Sequence, residues 1–158
     1  MKKFSVIAIM ILLSANAYPC SCRKVDLAEI YDDYSFVFEG TVTSIGTKWL
    51  WEKGEWIPNT VRKVGFQVSE NFKGVRGSKS VIYTQLHSAS CGHAFQKGKT
   101  YLVFAFKGTK EGEELGRHVK GAPIVTACGH TIDVEEANIH YKEYLDKTYK
   151  FIKPGRSS

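Results

Sequence analysis

Cys20-Ser21-Cys22 constrains this chain more than any other stretch. Side chains alternate from face to face in an extended segment, so two cysteines two apart point in opposite directions. Such a pair bonds poorly to itself, but it can pin one short N-terminal strand to two separate parts of a fold. The partners on offer are Cys91 and Cys128, each followed by Gly and His, in Cys91-Gly92-His93 and Cys128-Gly129-His130. Four cysteines allow three connectivities. With the strained Cys20–Cys22 pairing set aside, two long-range pairings remain.

The compartment decides whether those sulfurs are oxidised. Lys2 and Lys3 precede a short apolar run from Phe4 to Leu13, and Ala15-Asn16-Ala17 fits a small-x-small cleavage site. Residues 1–17 therefore read as a signal peptide of bacterial type, and the run is too short to span a bilayer, which takes roughly 20 residues. Removing those 17 residues from 158 leaves 141, beginning Tyr18-Pro19-Cys20. A secreted or periplasmic monomer without membrane insertion is expected, with one domain over 18–152 and a frayed tail over 153–158. In that compartment four cysteines read as two disulfides. Removing Lys2 and Lys3 lowers the formal charge from +6 to +4, and no run of Lys and Arg tracks a phosphate backbone, so no nucleic-acid partner is expected.

The pattern after the cysteines is mostly of strands. Leu27, Ile30 and Tyr31 at helical spacing give a short helix within Asp26 to Tyr34. Strands are expected over Phe36 to Ile45, with Phe36, Phe38 and Val42 on one face, and over Val61 to Ser69, with Val64, Phe66 and Val68 inward. Ser80 to Leu86 follows a Gly-rich turn. Thr100 to Phe106 is apolar on both faces, as a central strand is. A weaker strand is expected over Leu115 to Val119, extended by Ile124 to Ala127. Short strands separated by Gly-rich turns argue for a closed or nearly closed barrel. The period then changes: Val134, Ala137, Tyr141, Tyr144, Leu145, Thr148 and Ile152 form one helical stripe, started by Asp133 as N-cap.

Few residues offer chemistry. Cys20, Cys22, Cys91, His93, Cys128 and His130 have the donor types of a metal site, but oxidised sulfurs are not thiolate ligands, so no metal and no cofactor are expected. A disulfide-bonded cysteine is no nucleophile either. The acidic pairs Asp32-Asp33 and Glu135-Glu136 are adjacent and diverge on a helix. No phosphate loop or serine-nucleophile motif is present, so an enzyme is not expected. The remaining unusual stretch runs from Trp49 to Trp56 and holds all three tryptophans, Trp49, Trp51 and Trp56. With Lys53-Gly54 at its tip it reads as a protruding hairpin. Its aromatics either brace a ribbon or form a binding surface for protein or glycan.

Several of these motifs occur together in one family. A Cys-x-Cys near the mature N-terminus, Phe36-Val37-Phe38-Glu39-Gly40-Thr41-Val42, Asn71-Phe72-Lys73-Gly74, Cys91-Gly92-His93 and Thr126-Ala127-Cys128 resemble the tissue inhibitors of metalloproteinases. The chain is more closely similar to their bacterial single-domain relatives, over about residues 20 to 145. The resemblance implies a five-stranded Greek-key barrel of OB-fold type with flanking helices, shared with netrin-like modules. It also implies the pairings Cys20–Cys91 and Cys22–Cys128. In that family the first cysteine of the Cys-x-Cys is the mature N-terminus. Its amine and carbonyl chelate the zinc of a metalloproteinase, and the next side chain enters the specificity pocket. Those roles fall here on Cys20 and Ser21, with Cys22, Ala89 and Ser90 completing the protease-contacting edge. Cleavage after Ala17 leaves the Cys20 nitrogen acylated by Pro19, and an amide has no lone pair for zinc. The second reading is a netrin-like, non-inhibitory binding module using Trp49, Trp51 and Trp56.

Overall fold

Two fifteen-residue strands, β1 (Phe36–Leu50) and β2 (Asn59–Lys73), form the spine of the protein. The computed structural model describes residues 22–23, 25–50, 59–86, 91–108 and 119–153. β1 and β2 pair antiparallel from Val37↔Lys73 to Leu50↔Asn59, with register shifts at Val37/Phe38, Glu39/Gly40 and Val42/Ser44. Such shifts bend a strand and increase its twist. β3 (Lys79–Gln85) continues from β2, β4 (Thr100–Lys107) pairs with the first part of β1, and β5 (Pro123–Ile124) joins β3 to β4. The pairings run β1–β2–β3–β5–β4 and return to β1, giving a curled, barrel-like sheet. A sixth strand, β6 (Ile132–Asp133), lies against β4 at Tyr101 and Leu102.

The turn from β2 to β3 is set by its glycines. Gly74 and Gly77 have φ of +76° and +84°, and a Cβ on Gly74 would collide with the Ser35 carbonyl. Asn71 closes the turn, its side chain donating to the Val75 carbonyl (2.7 Å) and accepting from the Val75 N–H (3.3 Å).

β4 is buried on both faces, as its sequence requires. Tyr101, Val103 and Ala105 join Phe38, Val42, Val64, Phe66 and Ile82 inside the sheet. Leu102 and Phe104 face the other way, against Tyr34, Leu27, Ala137, Leu145 and Ile152. The inward faces expected for Phe36, Phe38 and Val42 and for Val64, Phe66 and Val68 are the ones observed. A third, smaller cluster holds Leu50, Val61, Val119 and Ile124.

The helices cover the outer face of β4. α1 (Leu27–Ile30) is capped by Asp26, which accepts from the Ala28 N–H (3.0 Å), and a 3-10 turn over Tyr31–Asp33 follows. α2 (Val134–His140) is capped by Asp133, as expected, through the Glu136 N–H (3.0 Å). The single C-terminal stripe is corrected: α2 ends at Tyr141, whose φ of −139° breaks the helix, and α3 (Lys142–Ile152) starts anew. At 100° per residue an unbroken helix would turn Ala137 and Leu145 roughly 80° apart. The break lets both face the sheet, and it leaves Tyr141 and Tyr144 exposed rather than on the buried face.

α3 is also held by polar contacts. Glu39 and Glu70 sit directly opposite each other on β1 and β2, an unfavourable like-charge pair. The Tyr149 hydroxyl donates to Glu39, and the Lys153 ammonium pairs with Glu70 at 2.7 Å. Burial, and then the Glu39 carboxylate, push the Tyr149 phenol well above its ordinary range.

Strand ends differ from the sequence expectation. β1 and β2 run on to Leu50 and back from Asn59, because the two chains keep pairing through the exposed Thr43 to Thr47. Val119 lies in a turn, and only Pro123–Ile124 is strand near the expected Ile124 to Ala127. The expected Leu115 to His118 segment, the leader and Pro154 to Ser158 lie outside the described residues. Among the described residues no helix is long and apolar enough to cross a membrane.

Candidate functional site

The two Cys-Gly-His triplets lie side by side. Gly92 bridges Thr126 in antiparallel fashion, and the Ala127 N–H donates to the Cys91 carbonyl at 2.8 Å. Cys91 has φ of +63°, a left-handed conformation that a side chain adopts only when its surroundings impose it. Two cysteines of alternating direction can therefore reach both segments from one strand. Cys22 does so to Cys128, with the two Cα atoms 5.2 Å apart and both residues exposed. Cys91 is disulfide-bonded as well, and no described cysteine is free. Cys20, Ser21, Ala89 and Ser90 lie outside the described residues, so of the expected protease-contacting edge the structure describes Cys22.

The histidines of the triplets root this edge in opposite layers of the fold. The backbone N–H of His93 donates to the fully buried Thr84 hydroxyl at 2.9 Å. Its ring packs on Phe95 and Tyr101, with centroids 4.5 and 5.9 Å away, inside the sheet. Burial holds the His93 imidazole below its ordinary pKa, although the Asp133 carboxylate pulls upward. His130 turns to the helix side. Its Nε2 lies 3.1 Å from the Val25 carbonyl, which can only accept, so Nε2 carries the proton. Nδ1 then accepts from the hydroxyl of the fully buried Tyr34 at 2.8 Å, and that oxygen takes the His130 backbone N–H at 3.2 Å. His130 thus ties the segment after Cys22 to the segment after Cys128, beside the disulfide.

The sequence treated these histidines as incidental to the disulfides, and that is corrected here: both are anchors. The repeated Cys-Gly-His was the signal that could have shown it. With the described cysteine sulfurs oxidised and both His130 ring nitrogens engaged, the residues do not fit a metal centre. Among the described residues no cluster of three or more His, Cys, Asp or Glu is placed to hold an ion.

The aromatic stretch begins where the ribbon leaves the sheet. Trp49 pairs with Thr60 and is 63% exposed, while Trp51 and Trp56 lie outside the described residues. Directly paired residues share a face. Thr47 pairs with Arg62, and Arg62 pairs with Thr84, the residue that holds His93. Trp49 therefore projects from the same face of the sheet that carries the Cys91 to His93 segment. A cleft of about 330 Å3 lies between the Val25–Ala28 segment and Tyr144, Lys147 and Phe151 of α3, with His130 in its wall. No family model matches the chain, and no curated protein matches it.

Proposed function

We propose that the protein is an exported, metalloproteinase-inhibitor-like protein with an OB-type Greek-key barrel, binding zinc endopeptidases through the Cys20-Ser21-Cys22 edge. The observation that carries this reading is the Cys22–Cys128 bridge, which fixes an exposed segment beside the left-handed Cys91. An open zinc site takes one further donor, and an edge held rigid before binding loses little entropy on docking. Cys20 supplies the donor, paired with Cys91, and Ser21, Ala89 and Ser90 line the wedge. The reading makes the chain a binding protein rather than an enzyme. Oxidised cysteines support a secreted or periplasmic location.

The N-terminus decides whether the edge can reach zinc. A neutral α-amine, with a pKa of about 7.7–8.0, donates near neutral pH, whereas an acylated nitrogen does not. Forms starting at Tyr18 and at Cys20 are to be refolded and titrated against a panel of zinc endopeptidases, with the acetylated shorter form as control. The Cys20 form is expected to inhibit best, and acetylation to abolish the gain. Equal inhibition by all three forms would remove the amine from the mechanism.

One observation favours a second reading. Trp49 is exposed on the face that carries Cys91 to His93, so the Trp49, Trp51 and Trp56 hairpin supports a netrin-like module binding protein or glycan. Absence of inhibition by every form would favour it.

A further inference from the structure

The helices cover the outer face of β4. Further round the sheet, the same outer face of β1, β2 and β3 leaves Gly46, Lys63, Lys79 and Val81 exposed. In one row across these strands Lys63 lies between Gly46 and Tyr83. Lys48 stands beside Val61 in the next row, and Lys79 pairs with Gln67 at the other end. Lys120 borders the face, in the turn whose Val119 and Ala122 pack against Leu50, Val61 and Tyr83. The other positions in these rows are glycine, serine, threonine, valine or glutamine, and none is a carboxylate. The next carboxylates along β1 and β2, Glu39 and Glu70, already hold Tyr149 and Lys153. Among the described residues none of the four lysines takes part in an ion pair. A surface of one sign with no counter-charge of its own attracts an anionic partner.

The side chains bear on which anion fits. The cations on this face are lysines, hydrated point charges, whereas arginine is the residue that grips single phosphates or bases through paired hydrogen bonds. Arg62 leaves the opposite face of β2. Stacking on a sugar or base needs a bare aromatic ring, but Lys48 already lies over the Tyr83 ring at 5.1 Å. At the centre the face is bare, since a Cβ on Gly46 would meet no atom within 4 Å. Val81, 38% exposed, is the one large apolar side chain offered to a partner there, too little for the anchor of a protein interface. An open face with dispersed ammonium groups suits a broad layer of negative charge better than one strand of polymer.

We propose that this outer face of β1, β2 and β3 rests on an anionic lipid bilayer, with Lys48, Lys63, Lys79 and Lys120 among the headgroups. The contact is peripheral and reversible, with no segment inserted. It also fixes which way the protein faces. Tyr83 and Thr84 are neighbours on β3, so their side chains leave opposite faces. Thr84 holds the Cys91 to His93 segment, and Trp49 projects from that same side. With the lysines on the lipid, both point away from it. The proposal does not depend on the inhibitor reading.

The test is co-sedimentation of the exported chain with vesicles of phosphatidylglycerol in phosphatidylcholine, against vesicles of phosphatidylcholine alone. Binding is expected to the anionic vesicles only, and added salt should release the chain. Each of Lys48→Gln, Lys63→Gln and Lys79→Gln should lower partitioning about five-fold, and the triple variant roughly a hundred-fold. The circular dichroism spectrum should be unchanged. Lys150→Gln removes the same charge from the exposed side of α3 and should have little effect. Equal loss with Lys150→Gln would reduce the attraction to net charge, and no binding to anionic vesicles would remove it; either overturns the proposal. Tighter retention on polygalacturonate or DNA than on vesicles would assign the face to a polymer and overturn it too. Glu111, Glu113 and Glu114 lie outside the described residues. If only a chain carrying all three as Gln binds vesicles, the face belongs to the protein's own acidic segment and the proposal fails.

Discussion

Removing the Cys22–Cys128 bridge by Cys22→Ser/Cys128→Ser tests how the N-terminal edge is held. The two residues are 106 apart in sequence. In the chain-entropy treatment a loop of that size, opened in the denatured state, is worth about 4.8 kcal/mol. The Cys91 disulfide reduces this. With Cys91 joined to Cys20 as proposed, the shortest closed path through both bridges runs from 91 to 128, a loop of about 39 residues, worth about 3.9 kcal/mol. Domains of this size are stable by about 5–15 kcal/mol, so the variant should fold but be marginal. Urea unfolding followed by circular dichroism should give a loss near 4 kcal/mol. It should also give a larger m value, because the freed denatured chain exposes more surface. A loss below about 1 kcal/mol at unchanged m would mean that the bridge does not restrict the denatured chain, and the entropic reasoning would fail.

Two further outcomes follow from burial. Phe104 is fully buried against Tyr34, with ring centroids 5.3 Å apart, so Phe104→Ala should cost about 3–5 kcal/mol. Trp49→Ala, at an exposed site, should change stability by no more than about 0.5 kcal/mol, and equal losses in urea unfolding would make Trp49 a structural residue. His93 supplies a pH dependence. Burial holds its folded pKa below the ordinary 6.5, against a weaker upward pull from Asp133. As pH falls below 6.5 the unfolded chain takes up a proton before the folded one does. The stabilisation is therefore complete above that pH and is lost as pH falls through the folded value. His93→Gln should flatten the stability profile in that window. An unaltered slope would place the dependence on other groups.

What the sequence made legible is what burial repeats along the chain. Thr100 to Phe106 reads as a central strand because both its faces are covered, by Val103 and its neighbours on one side and Phe104 on the other. Val64, Phe66 and Val68 alternate because one face of β2 is inside. The Asp133 cap was visible from residue type and position. The outer half of β1 was not, since Thr43 to Thr47 are all exposed and leave no hydrophobic period; pairing with β2 holds them extended. The break at Tyr141 was hidden because one non-helical residue resets the phase between two stripes that each keep the three-and-four spacing. The Tyr34–His130 contact joins residues 96 apart, and no local pattern reports such a pair.

Those hidden contacts matter most for the edge. Ordering one residue costs roughly 1–2 kcal/mol. If the edge docks as proposed and its three residues Cys20 to Cys22 were free beforehand, fixing them would cost roughly 3–6 kcal/mol, or about 10²- to 10⁴-fold in affinity. The Cys22–Cys128 bridge moves part of that cost into folding. A single bridge, however, fixes a point and leaves the direction of the strand free. Direction needs a second attachment further along, and the His130 contact with the Val25 carbonyl supplies it three residues on. His130 can hold that carbonyl only while its ring is oriented from the far side, which the buried Tyr34 hydroxyl does. Tyr34 is in turn fixed by Phe104 and Phe106, with ring centroids 5.3 and 4.5 Å away. The aim of an exposed segment at the protein surface is therefore set by packing on the buried face of β4.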